Sequence, residues 1–340
     1  MERTTDPSMS SLISSFDAIL SDLDGVVYAG PDPIDGAVES LNRAVADGIA
    51  VAYVTNNASR SVDAVAEHLN SLGLTTDGHH VVSSAQAAAS LAVDHLGSGA
   101  SVGICGSEAL ADCARSAGLV VVGLEDGPQA VLQGFDPGLG WQELADASYA
   151  LADKDVLWVV SNTDMTIPKE RGIAPGNGTL VHAVSAATRR EPLVAGKPGA
   201  TIFTTIVERL DVERPVVVGD RLDTDISGAH QAGLPSIAVM TGVQTMSDVL
   251  EARTEERPTY VVGNLRELFE EYRHPEVSGG EGAAVAEIDG AARAEADATT
   301  VRTQVREGTH SLLGWRTAMA AWWAAHPREN EETRPEVVWS

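Results

Sequence analysis

The chain has 340 residues, enough for two domains that each bury a hydrophobic core. Its content of 44% hydrophobic and 21% charged residues is typical of globular proteins, and its net charge of −26 argues against non-specific binding to nucleic acid or an anionic membrane. The two cysteines, without other Cys or His at metal-ligand spacing, support neither a disulfide framework nor a structural zinc site, which fits a reducing cytoplasm.

The N-terminal segment MERTTDPSMSSLISS shows no sign of a targeting sequence. It lacks the basic start and the continuous apolar core of a signal peptide, and no run of the sequence reaches the length of a membrane span. We therefore expect a soluble, cytoplasmic protein that binds no membrane.

From Phe16 onward, short runs rich in Val, Ile and Ala alternate with amphipathic segments of helical length. The strand-like runs include FDAILSD and IAVAYVT, and the helix-like segments include AVESLNRAVAD and SVDAVAEHLNSLG. This alternation predicts βαβ units around a doubly wound parallel sheet in an α/β fold. The continuous apolar runs suit strands that are buried on both faces.

The alternating pattern restarts near residue 100 and resumes again after a loop rich in Gly and Pro, TIPKERGIAPGNG. A second, small α/β unit is therefore expected as an insertion into the first. The expected division is a core domain of residues 14–99 and 191–273, an inserted domain of residues 100–190, and a C-terminal appendage of residues 274–340.

The C-terminal appendage (residues 274–340) begins with PEVSGGEGAAVAEIDGAARAEADATT, whose Ala, Gly and Glu content favours a linker or a loosely specified helix. Further on, Leu312, Trp315, Met319 and Trp322 recur at helical spacing, which is typical of a packing face. We expect this helix to pack on the main body or on a second subunit, in which case the chain forms a homodimer.

Two aspartates follow the first predicted strand in FDAILSDLDGVVY. On an extended chain Asp22 and Asp24 point the same way and repel each other unless a cation lies between them. With Asp220 of VVGDRLDTD they form an oxygen-only donor set that suits Mg²⁺ better than zinc. An isolated D-x-D-G is more often an acidic turn, so the interpretation depends on the other polar strand ends.

A second group of residues suits a phosphate. Thr55 offers a hydroxyl and, with the backbone N–H groups of Asn56 and Asn57 ahead of a helix over 61–72, a nest for an anion. Lys197, expected to open a helix with Pro198 in its first turn, is one of only three lysines among 23 basic residues. Each feature alone is an ordinary turn, cap or solvated lysine, but together they predict a phosphate site at the carboxyl edge of the sheet.

These residues support a two-step phosphoryl transfer. A carboxylate can attack phosphorus and become an aspartyl phosphate, and a second carboxylate can protonate the leaving oxygen and then activate water. Asp22 lies nearer the strand and is assigned as the nucleophile, which leaves Asp24 as the acid and base.

Four ordered motifs resemble those of the haloacid dehalogenase-like hydrolase superfamily, over roughly residues 14–272. They are DLDGV at 22–26, VTNNAS at 54–59, GKPGATIF at 196–203 and GDRLDTDISGA at 219–229. The TNN wording and the place of the insertion resemble subfamily IIA, the branch with a C2-type α/β cap. That branch includes nitrophenyl phosphatases, pyridoxal phosphate phosphatase, phosphoglycolate phosphatase and bacterial glycerol 3-phosphate phosphatases.

The resemblance implies a role for each matching residue. It makes Asp22 the nucleophile and a Mg²⁺ ligand, and Asp24 the acid and base whose backbone carbonyl also binds the metal. Asp220 completes the protein ligands and Asp225 supports them. The residues implied to hold the phosphoryl group are Thr55, Asn56, Asn57 and Lys197.

The resemblance also implies that the cap selects the leaving group, with SNTDMTIPKERG facing the site. Asn162, Thr163 and Asp164 can hydrogen-bond a polyol, or SNTD is simply a turn at a strand end. The expected substrate is a small phosphorylated metabolite, glycerol 3-phosphate or another short polyol phosphate. The alternatives are phosphoglycolate, pyridoxal phosphate or a sugar phosphate as substrate, or a non-catalytic sensor; Asp24 and Asp220 argue against a dehalogenase.

Overall fold

The structure is a computed structural model that describes residues 11–169, 171–306, 311–328 and 334–340. The chain divides into two compact units, treated separately below. Unit 1 comprises Met1–Val51 and Arg214–Ser340, and unit 2 comprises Ala52–Glu213. Most of the N-terminal segment expected to lack a targeting sequence lies outside the described residues.

The helices and strands alternate along most of the chain. The strands are β1 (Ala18–Ser21), β2 (Tyr28–Ala29), β3 (Asp32–Pro33), β4 (Ala50–Thr55), β5 (Val81–Ser83), β6 (Ser101–Cys105), β7 (Val120–Val122), β8 (Ala130–Gln133), β9 (Leu157–Val160), β10 (Thr166–Lys169), β11 (Gly172–Pro175), β12 (Leu193–Val194), β13 (Pro215–Gly219), β14 (Ser236–Val239), β15 (Tyr260–Val262), β16 (Glu276–Gly280), β17 (Ala283–Ile288), β18 (Ala292–Ala296), β19 (Thr300–Val305) and β20 (Glu336–Trp339). The helices are α1 (Ala37–Ala46), α2 (Val62–Ser71), α3 (Ser84–Leu96), α4 (Glu108–Ser116), α5 (Trp141–Ala150), α6 (Asn177–Thr188), α7 (Thr201–Leu210), α8 (Ser227–Gln231), α9 (Met246–Leu250) and α10 (Leu312–Ala325).

Unit 1 contains a parallel array of strands in the order β15, β14, β13, β1. Strands β1, β13 and β14 are buried along their whole length, as their continuous apolar runs predict. The register pairs Ser21, the last residue of β1, with Val218 near the end of β13. The residues that follow these two strands therefore leave the sheet at the same edge.

Unit 2 contains a five-stranded parallel sheet in the order β12, β9, β8, β6, β7. Its core includes Trp158, which is buried and donates a hydrogen bond from Nε1 to Gln133 Oε1 at 3.2 Å. Strand β4 runs into unit 2 and pairs in parallel with β5, and β10 and β11 form an antiparallel hairpin. The division into core and inserted domains at residues 100 and 190 stays a prediction.

The first part of the C-terminal appendage is a β-sheet, so the expectation of a linker or a loosely specified helix is wrong. Strands β16 to β19 form an antiparallel meander, and β20 adds to β19 in parallel. Along β18 the residues alternate between buried Ala and exposed Arg or Glu. Because alanine has a low strand propensity, this alternation of buried and exposed residues does not stand out in the sequence. The Asp289–Gly290 pair between β17 and β18 is a local signal that is typical of a β-hairpin.

Helix α10 covers the buried face of this sheet. Met319 and Trp322, each 1% exposed, belong to one apolar cluster with Val249, Leu250 and Val261 of the main body of unit 1. The aromatic stripe is therefore a packing face, and the helix packs on the main body, the first of the two expected alternatives.

A buried arginine fixes α10 to the main body of unit 1. Arg316 donates from Nε to the carbonyl of Val261 at 2.7 Å and pairs with Glu267 at 2.8 Å, while its guanidinium lies 4.3 Å from the centre of the Tyr272 ring. Glu267 also accepts the backbone N–H of Gly263. A buried ion pair is tolerated only when such hydrogen bonds satisfy both partners, so these contacts define one docking position for the helix.

Among the described residues, no helix has the length and apolar character needed to cross a membrane.

Replacing the buried indole of α10 tests the packing of the appendage. We expect Trp322→Ala to lower the free energy of unfolding by about 3–5 kcal/mol, because the lost side chain leaves a cavity that the surrounding residues cannot fully fill. The matched control is Trp141→Ala: Trp141 is 74% exposed, so its loss should change the free energy by less than about 0.5 kcal/mol. Equal effects of the two changes in denaturant unfolding would contradict the packing described.

Candidate active site

Three carboxylates of unit 1 converge beyond the carboxyl ends of its parallel strands. Asp22 follows β1 and Asp220 follows the neighbouring β13, while Asp225 lies in a short helical segment, Leu222–Ile226. One oxygen from each of the three carboxylates lies within 4.8 Å of the others. Asp220 and Asp225 are 2% and 1% exposed, so solvent screens their mutual repulsion poorly and a cation is the natural counter-charge.

Two glycines shape the space around Asp220. Gly25 has φ = +84°, and a Cβ on either Gly25 or Gly242 would overlap the Asp220 carboxylate. The N–H of Val243 donates to Asp220 Oδ2 at 2.8 Å, and Thr241 Oγ1 donates to the carbonyl of Gly25 at 2.7 Å. The Asp220 carboxylate therefore sits in a cradle formed by backbone from two separate loops.

The two acidic residues of the segment Leu222–Ile226 face different environments. Asp225 is buried and accepts the N–H of Arg221 at 3.1 Å, whereas Asp223 is about half exposed and pairs with the Arg221 guanidinium at 2.7 Å. Sequence reasoning gave Asp225 only a supporting role. Its place within the carboxylate group makes it a candidate for direct contact with a cation.

The side chain of Asp24 is not part of this carboxylate group. Asp24 is exposed, and the turn that follows it is closed by the N–H of Gly25, which donates to the carbonyl of Tyr28 at 2.9 Å. An exposed carboxyl can exchange protons with water and substrate, which suits the acid and base role. The binding of a metal by the Asp24 carbonyl stays a prediction.

In unit 2 the side chain of Asn56 holds the backbone of Lys197 from both sides. Asn56 Oδ1 accepts the Lys197 N–H at 2.8 Å, and Asn56 Nδ2 donates to the Lys197 carbonyl at 3.0 Å. Because α7 begins only at Thr201, the expectation that Lys197 opens a helix is wrong. The Asn56 amide, and not the first turn of a helix, therefore holds the backbone of Lys197 in place.

The ammonium group of Lys197 is drawn into the protein. The residue is 4% exposed, and Nζ lies 3.4 Å from the carbonyl oxygen of Val54. Lysine is rarely buried to this degree unless the charge has a partner or a ligand to meet. This placement agrees with the choice of lysine in a chain that otherwise uses arginine.

The VTNNAS segment forms a turn with internal hydrogen bonds. The N–H of Asn57 donates to Thr55 Oγ1 at 3.1 Å, and Asn57 Oδ1 accepts the N–H of Ser59 at 2.8 Å. The helix expected over 61–72 is confirmed as α2, which begins at Val62 with Ser61 as its cap. The turn lies ahead of this helix, as predicted, but the Asn57 N–H of the predicted anion nest already donates to Thr55 Oγ1.

The SNTD turn is tied to the same asparagine. Asn56 Nδ2 lies 3.2 Å from Asp164 Oδ2, and Asn162 Nδ2 donates to the Asn56 carbonyl at 2.7 Å. Asn177, the first residue of α6, in turn donates to the Asn162 carbonyl at 2.7 Å. Sequence reasoning missed Asn177 and Ser84, whose Oγ also donates to the Asn56 carbonyl, because asparagine and serine beside turns are common.

The chain belongs to the haloacid dehalogenase-like hydrolases. The family model described as haloacid dehalogenase-like hydrolase matches residues 19–120, and a second one described as HAD-hydrolase-like matches residues 194–268. The α/β fold with parallel sheets expected from the sequence is confirmed by the solved structures that it resembles.

Among characterised relatives, the chain is 47% identical over 264 residues to the D-glycerol 3-phosphate phosphatase of Mycobacterium tuberculosis, covering 77% of this chain and 74% of that protein. The structure of this chain is similar to that of a glycerol phosphate phosphatase from M. tuberculosis in complex with magnesium. The TM-score is 0.82 and the identity 40%, and the match covers 97% of this chain and 95% of the other. It is also similar to a p-nitrophenyl phosphatase from Archaeoglobus fulgidus, with a TM-score of 0.69, 26% identity and coverage of 75% and 98%.

A methyl group added beside Asp220 tests the carboxylate cradle. We expect Gly242→Ala to raise the Mg²⁺ concentration needed for half-maximal phosphatase activity about tenfold or more, because the new Cβ displaces the Asp220 carboxylate. Gly280→Ala is the control, since no atom lies within 4 Å of a Cβ at that position. An unchanged Mg²⁺ requirement in Gly242→Ala, with wild-type folding, would argue against the cradle.

Proposed function

We propose that this chain is a Mg²⁺-dependent phosphatase that hydrolyses a small phosphomonoester, with glycerol 3-phosphate as its preferred substrate. The observation that carries the proposal is the convergence of Asp22, Asp220 and Asp225 within 4.8 Å. The similarity to M. tuberculosis proteins supports it, since the sequence match is named a D-glycerol 3-phosphate phosphatase and the structure match is a glycerol phosphate phosphatase in complex with magnesium.

The donor set fits Mg²⁺ on chemical grounds. All three side chains offer carboxylate oxygens, which hard cations prefer, and no His or Cys takes part in the group. We propose that Asp22 and Asp220 hold the ion, with Asp225 beside them. When bound, the ion neutralises the carboxylates and the approaching phosphate dianion, which would otherwise repel each other.

The proposed reaction has two steps. In the first, a carboxylate oxygen of Asp22 attacks phosphorus, the bond from phosphorus to the ester oxygen breaks, and Asp24 gives that oxygen a proton so that the alcohol leaves. In the second, Asp24 takes a proton from water as the water oxygen attacks phosphorus. The acyl phosphate bond then breaks, which releases inorganic phosphate and restores Asp22.

The unit 2 residues are proposed to bind the transferring phosphoryl group. Lys197 supplies a positive charge for its oxygens, and Thr55 and the turn at Asn57 supply polar contacts. The hydrogen bonds of Asn56 support a different part for its side chain, because both of its amide atoms already hold the Lys197 backbone. We propose that Asn56 orients the lysine rather than contacting phosphate through its amide.

Selection of the alcohol is proposed to reside in residues 100–190, acting as a C2-type cap. The SNTD turn offers Asn162, Thr163 and Asp164, whose polar groups suit the hydroxyls of a polyol. Asp164 accepts a hydrogen bond from Asn56, the residue that also holds the Lys197 backbone, and this bond favours a fixed position for the Asp164 carboxylate. Small polar side chains and the absence of an aromatic ring within SNTD favour glycerol 3-phosphate over pyridoxal phosphate.

Phosphate release from a panel of esters tests the proposed activity. The panel contains glycerol 3-phosphate, phosphoglycolate, pyridoxal phosphate and nitrophenyl phosphate, each with Mg²⁺ and with EDTA. We expect the highest kcat/KM for glycerol 3-phosphate and loss of activity in EDTA. Tight binding of an ester without hydrolysis would instead favour a sensor, and a preference for another ester would contradict the substrate assignment.

Removal of the nucleophile should abolish turnover without unfolding the chain. We expect Asp22→Asn to lower kcat by roughly 10⁴-fold or more, because an amide cannot attack phosphorus, while the thermal unfolding profile stays close to that of the wild type. Asp47→Asn is the control, since Asp47 is about half exposed and pairs only with exposed Arg43 in the described residues. Turnover by Asp22→Asn near the wild-type rate would exclude Asp22 as the nucleophile.

The dual role of Asp24 predicts a burst. With nitrophenyl phosphate, whose leaving group needs little protonation, we expect Asp24→Asn to release about one equivalent of nitrophenol quickly and then to slow by about 10²–10⁴-fold as the acyl phosphate accumulates. With glycerol 3-phosphate both steps should be slow. Stopped-flow absorbance measures the burst, and steady release of nitrophenol at the wild-type rate would remove Asp24 from the second step.

A further inference from the structure

We propose that the C-terminal appendage positions the loop that surrounds Asp220, and so sets the affinity of the site for Mg²⁺. This inference rests on the proposed metal site, and all the contacts that carry it lie within unit 1. It gives a function to a part of the chain that lies outside the four sequence motifs.

The appendage contacts the main body at α9. Helix α10 packs against α9, and the indole Nε1 of Trp323 donates to the carbonyl of Leu250, the last residue of α9, at 3.1 Å. The guanidinium of Arg257 lies 5.8 Å from the centre of the same indole. At the C-terminal cap of α9, Glu251 pairs with Arg334 of the appendage at 3.5 Å.

Helix α9 is rigidly connected to the loop that carries Val243. Its cap, Thr245, accepts the N–H of Asp248, and the Asp248 carboxylate accepts the N–H of Thr245 at 2.7 Å. Two residues earlier, the N–H of Val243 donates to Asp220 Oδ2 at 2.8 Å. A displacement of α9 therefore moves the group that orients the Asp220 carboxylate.

The same appendage supports the segment that carries Asp225. Leu222 and Ile226, at the two ends of that segment, are buried in one apolar cluster with Met319 and Trp322 of α10. Interiors pack at near-crystalline density, so a helix shift on one side of the cluster is transmitted to the other. Both buried carboxylates thus lie next to backbone that α10 helps to hold.

The Trp323 hydrogen bond allows a narrow test. Trp323→Phe keeps most of the apolar contact but removes the N–H that binds the Leu250 carbonyl, so α9 loses one directional restraint. Trp315→Phe is the matched control, because it is the same substitution on the same helix, and Trp315 stacks edge-on against Trp339 at 4.9 Å instead of bonding to α9.

The measurements are the rise in unfolding temperature on titration with Mg²⁺ alone, the Mg²⁺ concentration for half-maximal activity, and KM for glycerol 3-phosphate. A ligand that binds only the folded state raises the free energy of unfolding by an amount that grows with the logarithm of its concentration over Kd, so the first measurement does not depend on turnover. We expect Trp323→Phe to weaken Mg²⁺ binding by about two- to tenfold with little change in KM, and Trp315→Phe to leave all three measurements unchanged.

The outcomes separate this inference from the proposed function. No effect of Mg²⁺ on the wild-type protein would contradict the metal site itself and, with it, the inference. Wild-type stabilisation by Mg²⁺ that Trp323→Phe retains in full, or that Trp315→Phe loses equally, would overturn only the inference. If Trp323→Phe does not fold, Glu251→Gln replaces it. A small loss of Mg²⁺ affinity in Glu251→Gln supports positioning through α9, and an unchanged Mg²⁺ affinity contradicts it.

Discussion

The repulsion among three carboxylates within 4.8 Å is the constraint on which the rest of the site depends. Two of these groups are almost fully buried, so the fold must hold them together against their charge until a cation arrives. It does so with backbone: the parallel register of β1 and β13 brings Asp22 and Asp220 to one edge, and the N–H groups of Val243 and Arg221 bind the carboxylates of Asp220 and Asp225.

A neutral amide provides the corresponding support in unit 2. Asn56 fixes both backbone polar atoms of Lys197, and Asn162 and Ser84 hold the Asn56 carbonyl in turn. The result is a buried lysine whose backbone cannot move without breaking several hydrogen bonds. Such fixed polar groups cost little reorganisation when charge develops on a bound phosphate, which is how preorganised sites accelerate phosphoryl transfer.

Sequence patterns predicted the parallel sheet and the candidate residues because both signals are local. In the stretch that ends in Asp22, the apolar residues themselves predict a buried strand, and the aspartate predicts where that strand ends. The support of Lys197 by Asn56 and the hydrogen bond from Asn177 to the Asn162 carbonyl depend on residues that are separated in the sequence, so no local pattern contains them. The strands of the appendage were missed because their buried positions are occupied by alanine, which packs in one apolar cluster with α10 but has a low strand propensity.

We propose that the three gathered carboxylates allow Asp22 to accept a phosphoryl group from the substrate. The most direct measurement is a rapid acid quench of the Asp24→Asn variant during turnover of nitrophenyl phosphate with Mg²⁺, followed by peptide mass spectrometry. We expect an acid-stable, hydroxylamine-sensitive phosphoryl group on the peptide that contains Asp22, formed only when Mg²⁺ is present. A phosphoryl group on another residue, or nitrophenol release with no phosphorylated peptide, would contradict it.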